Sequence, residues 1–265
     1  MPPDVGFHWD MLNDFDRNAA YRTAIARTVP GRTVYDLGAG IGPMSYYALA
    51  AGARRVYGFE IDRTIYPYLK RLRRTFPNFV PLPRSVLRGR LPADPPEVIV
   101  CEMWSSWLTA WPMVAALARV LRRSPRAAVI PARAHHIVQL VRMGHRSGLP
   151  TQVAPGSTAS SFGEPWATAE MSLPVLACVT DFQRKIDPVN RTVSLTPLAT
   201  GVANAVRLYS YEEVSDGRIL PRLGTRGDEL LHWIVPTRVE RGRRVRLRIR
   251  HRWDEGLWVG VERPR

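Results

Sequence analysis

The stretch VYDLGAGIGPMSYYALAAGARRVYGFEID, residues 34–62, constrains the fold more than any other part of the chain. An apolar run leads into a turn with Gly38, Gly40 and Gly42, and an alanine-rich segment then precedes a second apolar run that ends at Glu60. This order predicts a strand, a glycine turn, a helix and a second strand, as in a nucleotide-binding βαβ unit. Glycines in a tight turn let the backbone approach a ligand closely.

The residues around this turn favour S-adenosylmethionine over NAD as the ligand. The dinucleotide pattern Gly-x-Gly-x-x-Gly requires a glycine where Pro43 stands. The carboxylate of Asp36, just before the turn, would repel a pyrophosphate but attract a cationic sulfonium. Glu60 stands where an acidic side chain accepts hydrogen bonds from both ribose hydroxyls. We therefore expect the turn and Glu60 to bind S-adenosylmethionine, with a chance glycine turn in another α/β protein as the alternative.

Helical and strand patterns alternate along the first half of the chain, which predicts a parallel sheet covered on both faces. After Pro131 the helical periodicity fades and short strand-like runs take over. In one of them, 243–252, aliphatic residues alternate with arginines, as in a half-buried strand. The Gly/Ser/Pro-rich segment 142–165 predicts a loop. The fold class is therefore α/β, with a Rossmann-like domain over residues 1–132, including an N-terminal helix at 10–28, and an antiparallel β-barrel or sandwich over 133–265.

Composition excludes several classes of protein. The 265 residues are 45% hydrophobic, which is enough for a packed core, and no apolar run is long enough to predict a membrane span. The first residues lack the order of a signal peptide, and two cysteines predict neither a disulfide framework nor a metal site. We expect a cytoplasmic protein. Its net charge of +15, carried almost entirely by arginine, predicts attraction to anionic partners at low salt.

Five segments, in the same order along the chain, resemble motifs of the protein arginine methyltransferases. HWDMLNDFDRNAAYRTAI resembles the N-terminal signature, VYDLGAGIG and AGARRVYGFE resemble the cofactor motifs, VIVCEMWSSWL resembles the loop with two glutamates, and LLHWIVP resembles the Thr-His-Trp loop. The matching residues of the N-terminal signature are Met11, Leu12, Asp14, Arg17, Tyr21, Arg22 and Ile25. The resemblance implies a methyltransferase domain followed by a β-barrel, with S-adenosylmethionine as the cofactor.

The resemblance also implies how the cofactor is held. Arg17 would pair with its methionine carboxylate, for which a planar guanidinium is suited. The backbone from Gly38 to Gly42 would lie along the homocysteine arm, and Glu60 would hold the ribose. The acid that the family places near adenine is absent, so we expect backbone contacts near Val86 instead.

The acceptor site is where the chain departs from the family. Glu102 matches the first of the two glutamates that grip a guanidinium, but the second position falls on Trp111. The loss removes charge compensation that a buried guanidinium needs. Tryptophans in this loop suit stacking on a flat or cationic group, although Trp107 and Trp111 have the spacing of core residues as well. The expected substrate-binding residues are Met11, Trp104, Trp107, Trp111 and Trp233.

Two features concern the barrel. The resemblance implies that His232 meets Asp14 across the two domains, where the pair would either relay the proton lost on methylation or fix the N-terminal helix to the barrel. We therefore count Glu102, His232 and Asp14 as the catalytic candidates. The family's helical dimerisation arm would fall within 142–165, which shows little helical pattern, so the family's ring-shaped dimer is in doubt and the oligomeric state stays open.

The sequence thus predicts an S-adenosylmethionine-dependent methyltransferase that acts on a small molecule or peptide in a tryptophan-lined pocket. The acceptor would be a nitrogen or an electron-rich aromatic carbon, for example of an indole. The first alternative is a protein arginine N-methyltransferase that tolerates the lost glutamate. The second is a non-catalytic module that binds nucleic acid through the arginine-faced strand at 243–252.

Overall fold

The computed structural model describes residues 5–103, 107, 111–145, 154–160, 166–184, 186–215, 217–220, 229–252 and 256–262. The first half contains α1 (Val5–Leu12), α2 (Phe15–Thr28), β1 (Thr33–Leu37), α3 (Pro43–Ala50), β2 (Arg55–Phe59), α4 (Tyr66–Thr75), β3 (Phe79–Leu82), β4 (Val98–Cys101), α5 (Trp111–Arg123) and β5 (Ala128–Ile130). Its strands form a parallel sheet in the order β3-β2-β1-β4-β5.

Helices cover both faces of this sheet. Every residue of β1 is buried, because neighbouring side chains of a strand point to opposite faces and both faces are packed. Val34 packs in the cluster formed with α2 and α3, whereas Tyr35 packs with α5 on the other face. The βαβ alternation of the sequence is therefore confirmed, and the carboxyl ends of β1, β2 and β4 meet at one edge of the sheet.

The second half is antiparallel. It contains β6 (Arg133–His145), β7 (Thr158–Ser160), β8 (Trp166–Glu170), β9 (Val175–Asp181), β10 (Val189–Leu195), β11 (Gly201–Ser215), β12 (Arg218–Ile219), β13 (Leu230–Val239), β14 (Val245–Arg252) and β15 (Gly256–Val261). Among the described residues one sheet runs β7-β13-β11-β6-β8, with β9 also on β6 and β12 on β11, and the other runs β10-β14-β15. Both sheets bury side chains in one shared core, which confirms the predicted barrel or sandwich.

The alternation predicted for residues 243–252 is confirmed in β14. Leu247 and Ile249 are fully buried in the shared core, whereas Arg246 and Arg250 are exposed on the outer face. Arg250 lies over the ring of the half-exposed Trp258, with its guanidinium carbon 5.5 Å from the ring centroid. The hydrophobic face of this strand therefore decides its orientation in the sheet.

Two expectations about the elements are wrong, and one strand is missed. The helix expected at 10–28 is two helices, because the side chain of Asp14 accepts a hydrogen bond from the Arg17 amide and starts α2 as an N-cap. The strand β3 lacks a clear sequence pattern and is missed. Part of the loop expected at 142–165 is strand, since β6 continues to His145 and β7 occupies Thr158–Ser160. Residues 154–157 form a turn, as expected of a loop, and residues 146–153 and 161–165 lie outside the described residues.

The two halves share buried contacts, among them two hydrogen bonds. Trp107, from the segment after β4, is fully buried in the core of the barrel sheets, and its indole Nε1 donates to the carbonyl of Ile137 at 2.9 Å. The hydroxyl of Tyr21 in α2 donates to Glu212 in β11 at 2.7 Å. In the described part of the chain no helix has the length and apolarity needed to cross a membrane.

Candidate functional site

A cavity of about 520 Å³ opens where β1, β2 and β4 end. This is the edge at which open parallel sheets bind their ligands. Gly38 and Gly40 of the glycine turn line it, together with the carboxylates of Glu60 and Glu102, Val86, and Met11 of α1. The structure therefore brings together most of the residues that the sequence predicts for the cofactor, from segments that are far apart in the chain.

The glycine turn is shaped by positive backbone angles. Gly38 has φ +75° and Gly40 has φ +56°, values that favour glycine. A Cβ atom at Gly38 would overlap the side chain of Met103, with Sδ only 2.9 Å away, and one at Gly40 would lie 3.1 Å from Cε1 of His8. Both glycines line the cavity, so the backbone is exposed to a ligand there. His8, which the sequence gives no functional role, lines the cavity as well.

Gly42 also has a structural role at the start of α3. It is the N-cap residue of α3 with φ +98°, and it is not among the residues that line this cavity. A Cβ atom there would lie 3.1 Å from Cδ2 of Leu69 and 3.2 Å from Cδ2 of Leu72, both in α4. Its missing side chain therefore lets the start of α3 lie against Leu69 and Leu72 of α4, and the contact of Gly42 with the cofactor stays a prediction.

Glu60 is held in place by backbone amides at the end of β2. Its Oε2 accepts from the Gly40 amide at 2.8 Å, and its Oε1 accepts from the Asp62 amide at 2.8 Å. A carboxylate oxygen has two acceptor positions, so each oxygen keeps one for a further donor. The side chain is thus preorganised to accept hydrogen bonds from hydroxyl groups in the cavity.

Arg17 and Glu102, which the resemblance assigns to cofactor and acceptor respectively, form an ion pair. Nε of Arg17 donates to Oε1 of Glu102 at 3.0 Å, and Nη2 of Arg17 contacts Oε2. Arg17 is buried and Glu102 lines the cavity. Burial raises the pKa of Glu102, while the charge of Arg17 opposes that rise. A fork-shaped guanidinium fixes the direction of both carboxylate oxygens, so the pair positions Glu102 at the cavity.

Asp36 does not contact the cavity. Its side chain is buried, its Oδ2 accepts from the hydroxyl of Ser45 in α3 at 2.6 Å, and it is not among the lining residues. Burial raises the pKa of Asp36 to about 7. β1 points this side chain into the layer between the sheet and α3, and its contact with the cofactor stays a prediction.

The predicted pair of Asp14 and His232 is not formed. Asp14 caps α2, whereas His232 is fully buried within the barrel. Nε2 of His232 accepts from the Val259 amide at 3.3 Å, so Nδ1 carries the proton and donates to the Thr158 hydroxyl at 2.7 Å. Burial lowers the pKa of His232. The barrel satisfies both ring nitrogens, which leaves neither for a carboxylate of the other domain.

The structure describes two of the tryptophans predicted to line a substrate pocket. Trp107 packs in the barrel core and Trp233 is buried beside Val141 and Met143, and their role in substrate binding stays a prediction. Neither lines the cavity. Trp111 begins α5, but its side chain is outside what the structure describes, as is the whole of Trp104. Met11 and Val86 line the cavity, in agreement with their predicted positions.

One buried acid at this site is missing from the sequence prediction. Glu212 in β11 accepts a hydrogen bond from the hydroxyl of Tyr21. The centroid of the Tyr21 ring lies 5.5 Å from the guanidinium carbon of Arg17. Burial raises the pKa of Glu212 to about 7. The only sequence signal is an acidic pair, Glu212 and Glu213, within an otherwise strand-like run, and such a pair on its own does not indicate which side faces the other domain.

No protein-family model matches the chain. Curated relatives include mouse protein arginine N-methyltransferase 9, with 45% identity over 62 residues, 23% of this chain and 7% of that protein. Zebrafish protein arginine N-methyltransferase 6 is 26% identical over 204 residues, 74% of this chain and 54% of that protein. The arginine N(omega)-methyltransferase of Streptomyces achromogenes is 46% identical over 57 residues, 21% of this chain and 16% of that protein. The chain thus spans about half or less of the length of these relatives.

A solved structure is similar over nearly the whole chain. It is the Trypanosoma brucei PRMT1 enzyme–prozyme heterotetrameric complex with AdoHcy, with a TM-score of 0.75 and 17% identity over 97% of this chain and 94% of that one. At this identity the match establishes the fold. The fold is an α/β domain followed by an antiparallel β domain, and segments of the chain are similar in sequence to protein arginine methyltransferases.

Proposed function

We propose that the chain is an S-adenosylmethionine-dependent methyltransferase. The observation that carries the proposal is the cavity at the end of the parallel sheet, where Gly38 and Gly40 expose backbone and Glu60 presents a fixed carboxylate. These residues fit the group: Glu60 would accept from the ribose hydroxyls, the glycine turn would hold the amino-acid arm, and the segment around Val86 would hold adenine. The bound AdoHcy named for the T. brucei complex supports the same choice.

The residues beside this cavity suit methyl transfer to a nitrogen. The bound cofactor supplies an electrophilic methyl group, and the protein has to place a nucleophile in line with it. Glu102 reaches the cavity with its direction fixed by Arg17, so its carboxylate would accept a hydrogen bond from the acceptor N–H and keep the nitrogen lone pair aimed at the methyl group. A carboxylate in this place also holds the proton that the acceptor loses.

We propose a guanidino nitrogen of a small molecule or peptide as the acceptor. Two observations favour it over the indole carbon. Trp107 and Trp233 pack in the barrel, so two of the tryptophans expected to stack on a ring do not line the cavity. The relatives are named arginine methyltransferases, and the Streptomyces protein is named for arginine itself. Free arginine and arginine in a peptide are therefore the first acceptors to test.

The test has two steps. Calorimetry with S-adenosylhomocysteine should show binding by the wild-type chain and a large loss of affinity in Glu60→Gln, which keeps the shape but removes the charge. Glu97→Gln, an exposed acid at the opposite end of β1, serves as the matched control and should bind normally. Transfer of a labelled methyl group to arginine, to an arginine-rich peptide and to tryptophan then identifies the acceptor. Absence of cofactor binding by folded protein would overturn the proposal, and methylation of tryptophan alone would overturn the choice of acceptor.

A further inference from the structure

A buried group of charged residues lies between α2, the end of β4 and β11. Its members are Arg17, Tyr21, Glu102 and Glu212. Arg17 and Glu102 form the ion pair described above, and their side chains are 3% and 14% exposed. Tyr21 is fully buried and donates to Oε2 of Glu212 at 2.7 Å, and Glu212 is 5% exposed. The ring of Tyr21 separates Glu212 from Arg17. The group thus connects the barrel directly to the carboxylate that faces the cavity.

This group holds two carboxylates and one cation. Nε and Nη2 of Arg17 both face Glu102. Glu212 therefore accepts its hydrogen bond from a neutral group, the phenol of Tyr21. Tyr21 is the one hydrogen-bond donor to the Glu212 side chain within the described residues. A carboxylate buried without a cation of its own is unfavourable in its ionised form. The group is therefore short of one positive charge whenever Glu212 is ionised.

We infer that Glu212 is a specificity-determining residue of the acceptor site, which acts through the Arg17–Glu102 pair to favour a positively charged acceptor over a neutral one. A cation that enters beside Glu102 supplies the charge that the group lacks. Glu102 is then shared between Arg17 and the acceptor, and the negative potential of Glu212 stabilises both cations. The inference rests on the proposed function, because it takes Glu102 as the residue that meets the acceptor.

The surroundings of Glu212 predict that acceptor binding is coupled to proton release. The groups that face it are Arg17 and Tyr21 from α2, Asp14 from the residue before α2, and Glu102 from the end of β4. Burial raises the pKa of Glu212 to about 7, and the Glu102 charge adds to that rise. A bound cation favours the ionised carboxyl, so below this pH its binding would release the proton of Glu212 to solvent.

Its neighbour in the strand provides a matched control. Glu213 is buried to a similar degree, but alternation along β11 directs it to the other side, where Oε1 accepts from Arg133 at 2.9 Å and Oε2 lies 2.9 Å from Nε2 of His135. Glu213 thus has a cation of its own in Arg133. Its substitution removes a buried carboxylate from the same strand without changing the charges around Glu102.

The experiment measures binding of agmatine, an alkylguanidine, to protein saturated with S-adenosylhomocysteine. Titration calorimetry in buffers of different ionisation enthalpy counts the protons released. Wild type should bind roughly tenfold more tightly at pH 8 than at pH 6, and should release a proton on binding at pH 6. Glu212→Gln should bind roughly tenfold more weakly at pH 8 and lose both the pH dependence and the proton release. Glu213→Gln should behave like wild type in both respects.

Tyr21→Phe provides a second variant, which keeps the carboxylate but removes the hydrogen bond that lowers its pKa. Its affinity for agmatine should rise with pH around a midpoint above that of wild type. A Glu212→Gln protein with unchanged pH dependence would overturn the inference, as would failure of wild type to bind agmatine while it binds S-adenosylhomocysteine. Failure to bind S-adenosylhomocysteine at all would instead overturn the proposed function.

Discussion

Comparison of Gly38→Ala with Gly31→Ala distinguishes the effect of backbone strain from the effect of a blocked cofactor site. Gly38 has φ +75° and lines the cavity, whereas Gly31 has φ +73° and nothing within 4 Å of a Cβ atom built on it. A left-handed backbone costs a residue with a Cβ roughly 1–2 kcal/mol, so Gly31→Ala should lower the unfolding free energy by about that amount. Gly38→Ala carries the same strain and also overlaps Met103, and overpacking adds roughly 1–3 kcal/mol.

The two variants should differ most in cofactor binding. Urea unfolding measures the stability of each protein, and calorimetry with S-adenosylhomocysteine measures its affinity under native conditions. Gly31→Ala should bind like wild type. In Gly38→Ala the new methyl group and the displaced Met103 both intrude on the cavity, so the affinity should fall at least tenfold. Equal affinities in the two variants, with Gly38→Ala folded, would refute the placement of the cofactor along this turn.

Three further predictions concern acids and packing. Glu102→Gln should lower turnover roughly 100-fold while cofactor affinity is retained, and unchanged turnover would remove Glu102 from the chemistry. Burial raises the pKa of Asp36 to about 7, so the unfolding free energy of wild type should fall as pH rises from 5 to 8. Over that range, urea unfolding should show Asp36→Asn gaining about 2 kcal/mol of stability relative to wild type. Parallel curves of stability against pH would show that Asp36 does not titrate. Trp107→Phe should lower the unfolding free energy by about 2 kcal/mol without changing the KM for the acceptor, whereas a raised KM would return Trp107 to the substrate site.

Local sequence patterns are sufficient to predict the parts of the site that depend on residues close together in the chain. The glycine turn and Glu60 lie within one βαβ unit, and their spacing along the chain decides that they meet, since the Gly40 amide donates to Glu60 across only 20 residues. The period-two alternation of β14 likewise decides which of its faces is buried. In both cases the backbone geometry of a single element or unit is sufficient, so the predictions agree with the structure.

A motif says least about a residue where the orientation of its side chain depends on packing. Asp36 and Gly42 belong to the same motif as Gly38. The side chain of Asp36 points toward Ser45 of α3, whereas Gly42 packs against Leu69 and Leu72 of α4. His232 and Trp107 match family motifs, yet the barrel core surrounds both and satisfies their polar atoms. A motif match gives the position of a residue along the chain, whereas the direction of its side chain depends on which neighbours fill the space around it.

The sequence by itself determined the α/β unit, its glycine turn and the strand-rich second half, because hydrophobic periodicity and glycine placement act over a few residues. Only the tertiary structure decided that Arg17 pairs with Glu102, 85 residues away, and that Tyr21 meets Glu212, 191 residues away. Those contacts exist because the barrel packs against α2 and excludes water from the charges between them. The number of buried carboxylates at the acceptor site is therefore a property of the packed domains, and no single motif contains it.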